Sequence, residues 1–141
     1  MGSRRLLVAV SGAQLAVGLA GQFVALRDRR SFDITLLGWR GRPERVARDS
    51  WVLGTGLSAP VVMLTIQAAA TARLGAGSSH TASRILGSLG ATMACGYLIE
   101  REFRAALSPV GWNRTTTPIA TAGFTLAIAM AALGLRERAS S

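Results

Sequence analysis

LLVAVSGAQLAVGLAGQFVAL, residues 6–26, runs for 21 residues without a charge. A helix rises about 1.5 Å per residue, so a stretch of this length reaches across a hydrocarbon core of about 30 Å. Three further apolar stretches follow, at residues 51–72, 85–99 and 115–135, with 22, 15 and 21 residues. The 15-residue stretch is short for a crossing. It gains length if the turn before it extends the helix back to residue 80 and Arg84 lifts its guanidinium to the headgroups. The expected fold is therefore all-α, a single polytopic membrane domain of four transmembrane helices at 6–26, 51–72, 80–99 and 117–135. Residues 31–50 and 101–114 are expected to be interfacial connectors, since both combine Trp and other apolar residues with Arg. Helices one and two, and three and four, are expected to pack as hairpins.

Composition agrees with this reading. Half of the chain is hydrophobic and only 16% is charged, which excludes a disordered tail. The single cysteine, Cys95, excludes an internal disulfide and a Cys-x-x-Cys motif; in its apolar run it reads as a small buried packing residue. The net charge of +9 comes with sixteen basic residues, all of them Arg. They cluster between the apolar blocks, which points to anionic membrane lipid headgroups and away from nucleic acid. Seven arginines lie between the first and second stretches, at residues 27–50, and three at 101–114, against six at the termini and the middle turn. The richer side is expected in the cytoplasm of a cell membrane, with both termini and the His80 turn outside.

Local signals refine the picture. Arg4 and Arg5 precede the first apolar run as in a signal peptide, and Gly18-Leu19-Ala20 is a conceivable cleavage site. The run continues to Leu26, however, so it is expected to remain as a spanning helix. Pro60 is expected to kink the second helix at its middle. Thr116 and Thr117 before Pro118 read as the cap of the fourth. Each connector holds a Gly-Trp pair near an Arg (Gly38-Trp39-Arg40 and Gly111-Trp112-Asn113-Arg114), as a duplicated two-helix unit would.

No phosphate-binding loop, nucleophile elbow or zinc motif is present. His80 is the only histidine, so a multi-histidine metal site within one chain is excluded. No enzyme activity, cofactor or metal is expected. Asn113-Arg114-Thr115 matches a glycosylation sequon.

Polar residues recur at helical spacing inside the apolar stretches: Ser11, Gln14, Gly18 and Gln22; Gly56, Pro60, Gln67 and Thr71; Arg84, Ser88, Thr92 and Cys95; Thr117, Thr121 and Thr125. Such stripes are expected to face one another, because hydrocarbon offers a polar group no partner. Gly12-Ala16-Ala20 and Gly123-Ala127-Ala131 read as ridges that let helices approach closely. Gln14, Gln22, Gln67 and Thr92 are the candidate lining of a cavity for a small solute or lipid. Arg84, Glu100 and Arg101 are ionisable residues at the membrane boundary, with Glu100 expected to be solvated and paired to Arg104 one turn on. The expected function is that of a small non-catalytic integral membrane protein. It would act through helix packing, lipid contact or assembly, as a homo-oligomer or with partner membrane proteins. The alternative is an oligomeric small-solute transporter or channel subunit.

Overall fold

The computed structural model describes residues 2–34, 37–55 and 57–139, with side chains through Arg136. At 73% helix the chain is predominantly α. In order, the elements are α1 (Ser3–Arg27), β1 (Asp33–Ile34), β2 (Trp39–Arg40), a 3-10 turn (Pro43–Arg45), α2 (Val46–Asp49), α3 (Val61–Ala76), α4 (His80–Ile99), α5 (Arg101–Ala106) and α6 (Thr116–Ala139). β1 and β2 pair antiparallel, Asp33 with Arg40 and Ile34 with Trp39. Two helices, Ser3–Arg27 and the Thr116–Arg136 portion of α6, are long and apolar enough to cross a membrane, while α3 is apolar but shorter.

The expected helix over 51–72 is corrected. Residues 51–55 and 57–60 are not helical, and α3 begins only after Pro60, which stands at its N-cap with ψ 142°. Proline has no N–H to give to an upstream turn, and it bars the residue before it from helical geometry. It therefore starts a helix here where a mid-helix kink was expected. Gly54, at φ +79°, turns the chain where a Cβ would come within 2.7 Å of the Ser58 carbonyl oxygen. Thr55 and Ser58 exchange backbone hydrogen bonds of 3.0 and 3.5 Å, and the first amides of α3 reach back, Val61 N–H to the Ser50 carbonyl at 2.9 Å and Val62 N–H to that of Trp51 at 3.3 Å. Backbone donors left over by the missing helical turns are thus satisfied.

The other helix ends have local causes. α1 stops in a Schellman arrangement: Arg30 N–H bonds the Ala25 carbonyl at 2.8 Å and Arg29 N–H that of Leu26 at 3.4 Å. Arg29 takes the left-handed position, φ 52°, that glycine usually holds. α6 is capped by Asn113 together with Thr117, one of the two threonines expected to do so. The Asn113 Oδ1 accepts from the amides of Thr115 and Thr116 at 2.9 and 3.1 Å, while the Thr117 hydroxyl accepts the Asn113 N–H at 3.0 Å. This reciprocal cap gives the sequon residues a structural role.

α4 and α6 form the most extensive helix pair, followed by α1 with α6 and α1 with α3. The expected pairing of helices three and four is present; helix one rests more on α6 than on α3. Glycines explain the close approach of α4 to α6. A Cβ on Gly87 would meet the Gly134 carbonyl carbon at 2.9 Å, and one on Gly90 would meet the Ala127 oxygen at 2.6 Å. The Gly123-Ala127-Ala131 ridge lies at this contact. The Gly12-Ala16-Ala20 ridge does not pack: nothing comes within 4 Å of a Cβ at Gly12, and Ala16 and Ala20 are exposed.

Among the polar stripes, that of α1 faces inward, with Ser11, Gln14, Gly18 and Gln22 all buried. On α3, Gln67 is buried and Thr71 half-buried; Gly56 lies outside the described residues. The stripe of α4 is corrected: Arg84, Ser88, Thr92 and Cys95 face outward, so Cys95 is not the buried packing residue expected. On α6 only Thr117 is buried, and Thr121 and Thr125 face outward. Each outward threonine returns its hydroxyl to the carbonyl four residues earlier, at 3.0 Å for Thr92, 2.8 Å for Thr121 and 2.9 Å for Thr125. A threonine satisfied by its own helix needs no neighbour; a glutamine amide has more donors and acceptors than its own helix offers.

Candidate functional site

Both long connectors come together at one end of the bundle. Arg30, just past α1, donates to Glu102 of α5 at 2.9 Å. The Asp33 side chain in β1 takes ion pairs from Arg40 at 3.1 Å and Arg101 at 3.3 Å. The Asp33 backbone N–H donates to the Glu100 carboxylate at 2.9 Å. Beneath these polar links Phe103 is fully buried, its ring 5.4 Å from that of Tyr97 and 4.9 Å from that of Phe124. The aromatic contacts anchor α5 to α4 and α6 while the ion pairs anchor it to the hairpin. The two Gly-Trp pairs occupy unlike settings, one at the start of β2 and one in the turn after α5.

Glu100 is corrected from the solvated boundary residue expected. It is 7% exposed, and its polar contact is the Asp33 amide, not Arg104. Burial pushes its carboxyl up from 4.5 to about 7; the amides of Asp33 and Glu102 act against this, and the neighbouring carboxylates of the same two residues add to it. Glu100 lies just beyond the last residue of α4, and its carboxyl exchanges a proton near neutrality. Arg101 is exposed and engaged with Asp33, while Arg84 is exposed far away on α4.

The four residues expected to line one cavity separate into two places. Gln14, Gln22 and Gln67 are buried within the bundle, Gln14 at 1% and Gln67 at 0% exposure. The Gln67 amide nitrogen donates to the Ser11 carbonyl at 2.9 Å and to the Ser11 hydroxyl at 3.3 Å, and Ser11 and Thr71 hydroxyls lie 2.7 Å apart. This polar knot ties α1 to α3. The amide atoms of Gln14 and Gln22 have no hydrogen-bond partner among the described residues. Thr92 is apart from them, at the edge of a cavity of about 200 Å³ between the 53–63 segment and α4. Glu100 lines the same cavity.

Asp33 is the part of this end that residue patterns did not single out. Asp33 is one acid in a connector dominated by arginine, and only the fold brings it against α5. Among the described residues no three His, Cys, Asp or Glu side chains gather as a metal site would require. No protein-family model matches the chain, and neither curated proteins nor solved structures yield a match.

Proposed function

We propose that the chain is a four-crossing, non-catalytic membrane protein of the cell membrane whose two arginine-rich connectors form one cytoplasmic platform. The platform meets anionic headgroups and supports assembly with further copies or with partner membrane proteins. The observation that carries this reading is an inverted distribution of polarity. Ser11, Gln14, Gln22, Gln67 and Ser83 are buried, whereas Leu19, Phe23, Val62, Ile66, Leu98 and Ile128 are exposed. A bundle in water buries the second set before the first; a bundle in lipid has no such preference and turns its polar side chains away from the hydrocarbon.

Two details support four crossings. The ion pairs Arg30–Glu102 and Arg101–Asp33 put the first and third connectors at one end, as an even number of crossings between them requires. α3 has only 16 residues, about 24 Å at about 1.5 Å each. The non-helical residues before it supply the rest. Leu57 packs against Val24 and Ala25 of α1, and Ser58 reaches the level of Gly18. Irregular backbone at membrane depth is tolerated where protein buries it, and Thr55, Leu57 and Ser58 are buried. Exposed Trp39, Trp51 and Trp112 at the connector end suit an interfacial belt.

Assembly has its own supporting observation. Arg84, Ser88 and Thr92 line a shallow outward recess of α4, a polar strip that a second copy or a partner helix would cover. Alkaline phosphatase, active only outside the cytoplasm, fused after Ser79 should be active, and fused after Ala47 inactive. The opposite result reverses the orientation, and equal activity at both sites removes the four-crossing reading.

A further inference from the structure

We propose that the cavity beneath the connectors binds a lipophilic primary amine, an alkylammonium whose chain fills the apolar part and whose head pairs with Glu100. The cavity holds about 200 Å³ and its walls include Ile34, Thr55, Met63, Met93 and Tyr97, with Glu100 among them. Two flexible methionines suit an unbranched alkyl chain.

Charge selects the head group. Glu100 is 7% exposed and, among the described residues, takes part in no ion pair. The arginines around the neighbouring acids are committed to them: Arg30 to Glu102, and Arg40 and Arg101 to Asp33. A buried carboxylate without a counter-charge is costly, and an incoming cation offsets that cost where an alcohol or a carboxylate does not. The N–H donors of a primary amine also give the carboxylate a charge-assisted hydrogen bond. Size follows by comparison: a cavity of about 150 Å³ holds one benzene, so this one takes roughly eight to ten non-hydrogen atoms. Octylamine fits that range.

The titratable groups beside Glu100 are Asp33 of the hairpin, Glu102 of α5 and, across the cavity lining, Tyr97 of α4, while Arg30, Arg40 and Arg101 pair with those two acids; residues 51–60 contribute no charge. With a Glu100 carboxyl that titrates at about 7, occupancy by the amine falls as pH drops below neutrality. An alkylamine resembles a lysine side chain, near 10.4, and keeps its own charge throughout.

The test is calorimetric titration of octylamine, octanol and octanoate into the protein in nanodiscs of zwitterionic lipid, with empty nanodiscs subtracted. Octylammonium should bind saturably and at least about tenfold more tightly than octanol, and octanoate should not bind. Glu100→Gln should lower octylammonium affinity to that of octanol and leave octanol unchanged. Met63→Trp, which fills the cavity, should remove both. Should Glu100→Gln fail to fold, the wild-type protein still decides: octylammonium affinity should fall about tenfold between pH 8 and pH 6. Equal affinity for amine and alcohol, pH-independent binding, no saturable binding above empty discs, or binding unchanged in Met63→Trp would each overturn the proposal.

Discussion

Glu100 and Arg29 each hold a conformation or ionisation state that their residue type does not favour. Glu100 takes up a proton in the folded protein at about 7, against 4.5 for an ordinary carboxyl. Between those values the folded state binds more protons than the unfolded one, so stability falls as pH rises through that window. The wild-type protein should therefore unfold at a lower denaturant concentration at pH 8 than at pH 5 as far as this group contributes. Glu100→Gln, which retains an oxygen for the Asp33 amide, should flatten that dependence and be the more stable of the two at pH 8. Chemical denaturation followed by circular dichroism across the pH range is the measurement. Arg29 sits at φ 52° on an exposed turn. Glycine suffers no Cβ clash there, so Arg29→Gly should stabilise by about 0.5–1 kcal/mol, read from the same denaturation curves. A destabilised variant would mean that the arginine side chain contributes more than its backbone strain costs.

Among the elements, α4 and α6 meet across a seam of backbone on backbone, whereas Gly12, Ala16 and Ala20 of α1 form no such seam. A side chain at Gly90 would strike the Ala127 oxygen and the Ala131 amide, both at 2.6 Å from its Cβ. Neither is a side-chain end that can rotate away. Gly90→Leu should cost about 1–3 kcal/mol or prevent folding, the range for forcing bulk into packed space. Gly12→Ala is the control on α1. Nothing lies within 4 Å of its Cβ, so alanine should stabilise by about 0.5–1 kcal/mol through helix propensity alone. Thermal unfolding of both variants in one detergent compares them directly. If Gly90→Leu behaves like Gly12→Ala, the seam is not as close as described.

The whole molecule turns on which side of the helices meets solvent and what that solvent is. Leu19, Ile66 and Ile128 point outward from α1, α3 and α6. Spin labels at these three positions in a Cys95→Ser background should be relaxed more strongly by oxygen, which concentrates in lipid, than by a water-soluble nickel chelate. A label at Gln14 should be shielded from both. Stronger relaxation by nickel at all three outward sites would identify a bundle that lives in water, and the four-crossing proposal would fail with it.

Much of the helical plan is written in residue order. The uncharged run at 6–26 lies within α1, and the stretch begun at residue 80 became α4 to the residue before Glu100. Chain connectivity and side-chain chemistry suffice for that, because helix formation depends on neighbours within a turn or two. The inward face of α1 was legible for the same reason: Gln14 and Gln22 share a face by spacing, and hydrocarbon is a costly surrounding for an amide. Pro60 was ambiguous in sequence, since a proline either bends or begins a helix depending on whether the turn before it is supported. Here Ser50 and Trp51 carbonyls took up the amides of α3 and the helix began. Only tertiary structure decided that the α4 stripe faces outward, because Gly87 and Gly90 on another face fitted α6 more closely than any hydroxyl contact allowed. Tertiary structure alone also made Glu100 a buried acid. Asp33 is 67 residues away along the chain, and no local pattern records that its amide, with Tyr97 and the 53–63 segment, would close over a carboxylate that residue order places at a water-facing boundary.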